Sequence, residues 1–174
     1  MKPIGPLMRE HRLIEKMLEV VKGQAAAIEQ GKTPDRCLVL EIVDFFRSYA
    51  DRTHHGKEED ILFKQMVDKK ISGEHRKLVA ELIEEHRQAR GIVGRLKEAA
   101  EGGELSAKSE TVLGCFGEIL ALYPKHIAKE DDRLFYPCLS YFSDAEQESM
   151  LQEFAEFDRM MVHEKYQALV DELG

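Results

Sequence analysis

The sequence predicts an all-α protein, an up-down-up-down four-helix bundle with one additional C-terminal helix. Three observations predict it. Apolar residues recur at three- and four-residue spacings over long stretches, and Gly, Pro and Ser fall between those stretches. The joining segments are short, which makes successive helices antiparallel neighbours. At 174 residues the chain is sized for one domain that buries about two thirds of its unfolded surface. Residues 1–140 are expected to form the bundle and residues 141–174 the helix packed on it.

The first helix is expected from Pro6 to Gln30, with Leu7, Ile14, Leu18, Val21, Ala25 and Ile28 on one face and Gly31 as its stop. The second starts at Thr33 and Pro34, a capping hydroxyl followed by a residue suited to the first turn, and runs to Lys69. Ser72 caps the third, which ends at Ala100 before Gly102 and Gly103 release the chain. The fourth spans Ser106 to Tyr136, with a kink or local break expected at Pro124. The fifth opens on Ser143 and Glu146, which have capping-box spacing, and runs to Leu173.

The charge balance is acidic, 25 Lys and Arg against 33 Asp and Glu, and the basic residues are interspersed with acidic ones. Nucleic acid and anionic membrane surfaces need clustered positive charge and are not expected partners. The N-terminus lacks the apolar segment of a signal peptide, and no apolar run approaches the ~20 residues of a membrane span. A soluble cytoplasmic protein is expected. Cys37, Cys115 and Cys138 are odd in number and form no C-x-x-C, which points to reduced thiols.

The chain also repeats itself. "HHGKEEDILF", His54 to Phe63, matches "HIAKEDDRLF", His126 to Phe135, at His, Lys, Glu, Asp, Leu and Phe in one register. "EHR" precedes each copy, at Glu10 to Arg12 and at Glu85 to Arg87. Each half therefore offers one His on its first helix and His-x-x-x-Glu on its second. Residues i and i+4 share a helix face about 6 Å apart, so His54 with Glu58, and His126 with Glu130, aim at one point. The faces are apolar: His11 lies in a stripe with Leu7, Ile14 and Leu18, His86 with Leu78, Leu82 and Val93, and His126 with Cys115, Ile119 and Leu134. Four imidazoles and two carboxylates in an apolar core need partners, because burying an unpaired carboxylate is costly. Metal ions satisfy all six together. Imidazole and carboxylate without thiolate suit iron or manganese, and two bridging carboxylates suit a pair of ions.

This order of residues resembles the hemerythrin-like, or HHE cation-binding, domain family over residues 7–139. The resemblance implies a non-haem di-iron centre in a four-helix bundle: two iron ions, or another divalent metal such as manganese, with an oxo or hydroxo bridge. Carried over residue by residue, its ligands are His11, His54, Glu58, His86, His126 and Glu130. The function it implies is non-enzymatic binding or sensing of dioxygen or a related small diatomic. The alternatives are a di-iron oxidoreductase acting on peroxide, oxygen or nitric oxide, and an iron storage or donor protein. One departure concerns the third helix. Oxygen-carrying members have a second His four residues from the first, where this chain has Leu82 and Arg90, so four imidazoles are expected and not five.

Four further residues have two readings each. His55 and Glu59 share a face with Arg47, Ser48, Asp51 and Arg52, which reads as a solvated pair, the alternative being an extra ligand or a supporting role. His54 and not His55 is therefore expected to hold metal. His163 lies near Met160, Tyr166 and Val170, which reads as core packing, the alternative being that it supplies a fifth imidazole. Tyr123, like Tyr49, precedes a motif histidine and is a candidate hydrogen-bonding neighbour of the metals.

Overall fold

A computed structural model describes the backbone of residues 2–173 and the side chains of residues 2–161. Every regular element among the described residues is helical, and these fall into five rods. Helix α1, Ile4–Glu29, buries Ile4, Leu7, His11, Ile14, Leu18, Val21 and Ala25, one stripe at helical spacing. It ends as expected, with Gly31 at φ 89° while the amides of Gly31 and Lys32 bond back to the carbonyls of Ile28 and Ala27.

Helix α2 (residues 36–67) starts later than Thr33 and Pro34. Asp35 is its cap, accepting from the amides of Cys37 at 2.9 Å and Leu38 at 3.4 Å. A carboxylate both pairs with the free amides and suits the positive end of the helix dipole. After an α-helical start, Arg36–Asp44, the rod is π-helical over Phe45–His55 and again over Glu58–Phe63, then α-helical over Lys64–Val67. Helix α3, Gly73–Glu101, is capped by Ser72, which accepts from the amide of His75 at 3.1 Å.

A short turn, Leu105–Lys108, leads into α4 (residues 109–138). That rod continues through exposed Pro124 with no break and turns π-helical over Glu130–Phe135. Helix α5, Asp144–Leu173, opens on a capping box: the Ser143 amide donates to Glu146 at 2.8 Å and the Glu146 amide donates to the Ser143 hydroxyl at 3.4 Å.

Helix α1 packs on α4, α4 on α3, α3 on α2, and α2 returns to α1 through its π-helical stretch. Helix α5 lies against the two π-helical stretches of α2. The apolar interior forms two clusters. One holds Ile14, Phe46, Ala50, Ala89 and Tyr123. The other holds Leu7, Leu62, Phe63, Leu82, Leu134, Phe135 and Phe154. Each fully buried Leu or Phe contributes roughly 1.5–3 kcal/mol. Along α1, α3 and α4, His11, His86 and His126 fall at the step from one cluster to the other, so a layer of buried polar groups separates the two. No helix among the described residues is long and apolar enough to cross a membrane.

Candidate metal centre

All six residues of the repeated pattern reach that layer. His11, His54, Glu58, His86, His126 and Glu130 are each at most 3% exposed. His55 joins them, and the expectation that it is solvated fails: it is 1% exposed. The cause is the winding of α2. An α-helix advances about 100° per residue, and that step assigns His55 to the face of Asp51 and Arg52. π-Helical bonding runs i→i+5 and takes more residues per turn, so positions four and five after Ala50 both fall beneath the same side. Neighbours Leu62 and Phe63, and Leu134 and Phe135, are likewise buried together on π-helical stretches.

The buried donors fall into two groups whose ligating atoms lie within 4.8 Å of one another. One comprises His11, His54, Glu58 and Glu130, and the other His55, Glu58, His86 and His126. Glu58 belongs to both, with Oε1 3.4 Å from His54 Nε2 and Oε2 3.5 Å from His86 Nε2. Glu130 lies between helices in the same way, 3.1 Å from His11 Nε2 and 3.4 Å from His126 Nε2.

Each imidazole turns its other nitrogen outward to a carboxylate. Nδ1 of His11 donates to Asp131 at 2.8 Å, His54 to Glu10 at 2.9 Å, His86 to Glu59 at 2.7 Å and His126 to Glu85 at 2.9 Å. His55 makes a longer bond to Asp51 at 3.4 Å. An ionised carboxylate only accepts, so Nδ1 carries a hydrogen, and in its neutral form each ring presents the lone pair of Nε2 to the interior. Basic side chains hold these carboxylates in turn: Arg12 on Asp131, Lys57 on Glu10, Lys129 on Glu85, and Arg90 on both Asp51 and Glu59 at 2.7 Å.

The whole repeat thereby acquires a role. The Glu before each first-helix His anchors the second-helix His of its own half, and the acid after each motif Glu anchors the first-helix His of the other half. Phe63 stacks on His86 at 6.2 Å between centroids and Phe135 on His11 at 5.4 Å. Glu59, one of the two readings of which was a supporting role, is the Nδ1 acceptor of His86. Tyr123 is buried 6.3 Å from the His55 ring and 6.5 Å from the His126 ring, forming a wall beside them. His163 lies outside the described side chains.

The electrostatics divide the layer. Burial lowers His54 to about 4 and holds His55 well below the ordinary imidazole range. For His11 burial is outweighed by the bond to Asp131 and the adjacent carboxylate of Glu130, which raise it to about 9. Burial and the facing charge of Glu130 push Glu58 well above the usual carboxylate range. Burial of Glu130 is outweighed by His126 and by the imidazoles of His11 and His86 beside it, which hold it well below that range. Two carboxylates this close share the cost of ionisation unequally, as like charges must.

Donor chemistry tests whether cations fit. Nε2 of His11, His54 and His55 and all four oxygens of Glu58 and Glu130 are buried with no hydrogen-bond partner, and His86 Nε2 faces His126 Nε2 at 3.2 Å. Lone pairs that converge without hydrogens between them repel, and buried groups of this kind are normally satisfied. Cations placed among them satisfy all of them, so the residues fit a metal pair.

Fold and site together define a class: a helical protein whose buried histidines and carboxylates form a cluster able to hold metal cations. The family model described as the hemerythrin HHE cation binding domain matches residues 2–139, and the chain belongs to that family. No curated protein and no solved structure matches the chain.

Proposed function

We propose that the protein is a non-haem di-iron protein that binds or senses dioxygen or a related small diatomic, without turning over a substrate. The observation that carries this reading is the inward convergence of five Nε2 atoms and four carboxylate oxygens, each ring held from behind by a carboxylate. In this reading α1 to α4 form an up-down-up-down bundle around the centre, and α5 is an addition to it. His11 and His54 serve one ion, His55, His86 and His126 the other, with Glu58 and Glu130 shared. The fifth imidazole lies on α2 and not on α3, so the shortage expected from Leu82 and Arg90 no longer weighs against a five-histidine centre.

Two iron ions at this place would supply electrons to a bound diatomic and open positions at which it could attach. The chain's own contribution is orientation and dryness. The carboxylate behind each imidazole fixes its tautomer and raises its basicity as a ligand. Leu62, Phe63, Leu134, Phe135 and Tyr123 keep water from the layer. An apolar, tightly packed wall admits a diatomic more readily than an organic substrate.

The test is metal analysis combined with optical spectra under air and under anaerobic reduction. About two irons per chain are expected, with a visible band that appears in air and disappears on deoxygenation. Protein with no iron or manganese loses the reading altogether, and catalytic loss of added peroxide replaces it with the oxidoreductase reading. Chelation should lower the melting temperature by roughly 5–10 °C if metal had been present at about 100 times its dissociation constant.

A further inference from the structure

The two halves of the centre are matched by a pseudo-twofold relation that fails in one place. Lys57 and Lys129 occupy the same motif position, and each pairs with the Glu that accepts from a second-helix imidazole. Lys129 is 23% exposed, and its other partner, Glu81, stands on the same helix as Glu85 and is half in solvent. Lys57 is fully buried, and its other partner is Asp158 at 2.6 Å, itself 44% exposed, on α5 and outside the part of the chain that the family covers.

Two differences between the motif copies, and one contact of Lys57, follow the same line. Gly56 stands where the second copy has exposed Ala128, and a Cβ on Gly56 would lie 2.7 Å from the Phe157 ring. Ile61, buried in the cluster that includes Met150 and Phe154 of α5, stands where the second copy has exposed Arg133. Lys57 itself lies 6.0 Å from the Phe154 ring centroid. The first copy is therefore built to carry a helix, and the second is built to face water.

We propose that Asp158 of α5 is a positioning residue for the half-centre containing His54, acting through Lys57 and Glu10, so that docking of α5 and metal binding there strengthen each other. The inference rests on the dinuclear reading above. A buried ammonium has no water to pair with and depends on both carboxylates. With Asp158 in place Lys57 is fixed, and Lys57 fixes the Glu10 carboxylate, which sets the ring of His54. Without Asp158 the ammonium is drawn to Glu10 alone or out to solvent, and the acceptor behind His54 shifts. Coupling of two binding events is reciprocal, so an ion on His54 must also tighten α5. Supports behind a metal ligand alter affinity by roughly 10–100-fold, and Asp158 stands further out than Glu10, which places its effect near tenfold.

The test is anaerobic Fe(II) titration of the full metal-free chain as wild type, Asp158→Asn and Glu81→Gln, with amide exchange of residues 144–161 followed in the wild type before and after Fe(II). Asp158→Asn should weaken one of two equivalents about tenfold and leave the other within about twofold, while Glu81→Gln matches wild type. Exchange in 144–161 should slow about tenfold when Fe(II) is added. If wild type takes up two equivalents but exchange in α5 ignores Fe(II) and Asp158→Asn titrates as wild type, the coupling is overturned and the dinuclear reading stands. If wild type takes up none, the dinuclear reading fails and the coupling with it. The exchange measurement needs no variant, so it decides the matter even where Asp158→Asn folds poorly.

Discussion

His54 and His55 are neighbours in the chain, both 1% exposed, and each belongs to a different one of the two donor groups that share Glu58. Adjacent residues of an α-helix point about 100° apart, which turns two neighbouring rings towards different parts of a core. The π-helical stretch ending at His55 narrows that angle and brings both rings into one layer of polar groups. Stretches of this kind are rare and occur often at functional sites.

The first prediction concerns that pair. His54→Ala and His55→Ala should each lower the metal content by about one equivalent, because in the proposed dinuclear reading each ring serves its own ion. His55→Ile, which installs the residue found at the matching position of the second copy, should do the same while keeping the fold, since Ile127 is itself buried. Metal analysis by mass spectrometry reads the result. Wild-type stoichiometry and affinity in His55→Ala would return His55 to the role of packing.

Much of the site could be read from the residues alone, and the part that could not has a physical cause. His11, His54, Glu58, His86, His126 and Glu130 stand in apolar stripes with a spacing of three or four, so a regular helix suffices to find them. His55 required knowledge of the winding, because a regular α-helix turns it to the face of Asp51 and Arg52. Glu10, Glu59, Glu85 and Asp131 sit at the rim of each stripe, where charge normally means solvent. Their identity as supports was written in the recurrence of "EHR" and of an acid after each motif Glu. Lys57 gave no such signal: a lysine in a charged run reads as exposed, and Asp158 lies a hundred residues further on. Thr33 and Pro34 together mimic a helix start that Asp35, two residues on, performs better.

Arg90 is the subject of the second prediction. Its guanidinium bonds Asp51 and Glu59 at once, and those two carboxylates stand behind His55 and His86. Arg90→Ala should weaken the three-histidine half by about tenfold or more while sparing the other half. Arg90→Lys offers one ammonium in place of a planar fork and cannot reproduce both bonds, so it should recover only part of the loss. Stepwise Fe(II) titration separates the halves. Equal affinity in Arg90→Ala and wild type would show that the two carboxylates hold their rings unaided.

A third prediction follows from the start of α5. The bonds from Lys69, the Ser143 amide and the Ser143 hydroxyl lower the Glu146 carboxyl from its ordinary 4.5 to about 2. A carboxyl depressed on folding stabilises the native state above its unfolded value and loses that contribution as pH falls through its folded value. The stability difference between wild type and Glu146→Gln should be full above pH 4.5 and vanish towards pH 2. Urea denaturation of both proteins across that range measures it. A difference that stays constant with pH would detach Glu146 from the cap.

The fourth prediction uses Gly56 to ask whether α5 truly presses on the motif. Gly56 is helical, at φ −60°, so Ala there should gain up to about 1 kcal/mol from reduced backbone freedom in the unfolded chain. The added methyl also meets the Phe157 ring, and overpacking of this kind costs typically about 1–3 kcal/mol. The two effects oppose, and the ring decides the sign. Gly56→Ala should lower stability by about 1 kcal/mol in the wild type, after the helix gain offsets part of the clash. In a Phe157→Ala background the clash is gone and the helix gain is left, so the same change should raise stability by roughly 0.5–1 kcal/mol. Denaturant titrations of the four proteins form a double-mutant cycle whose coupling reports the contact itself. If Gly56→Ala changes stability equally in both backgrounds, Phe157 does not rest on Gly56, and the glycine in the first copy needs another reason.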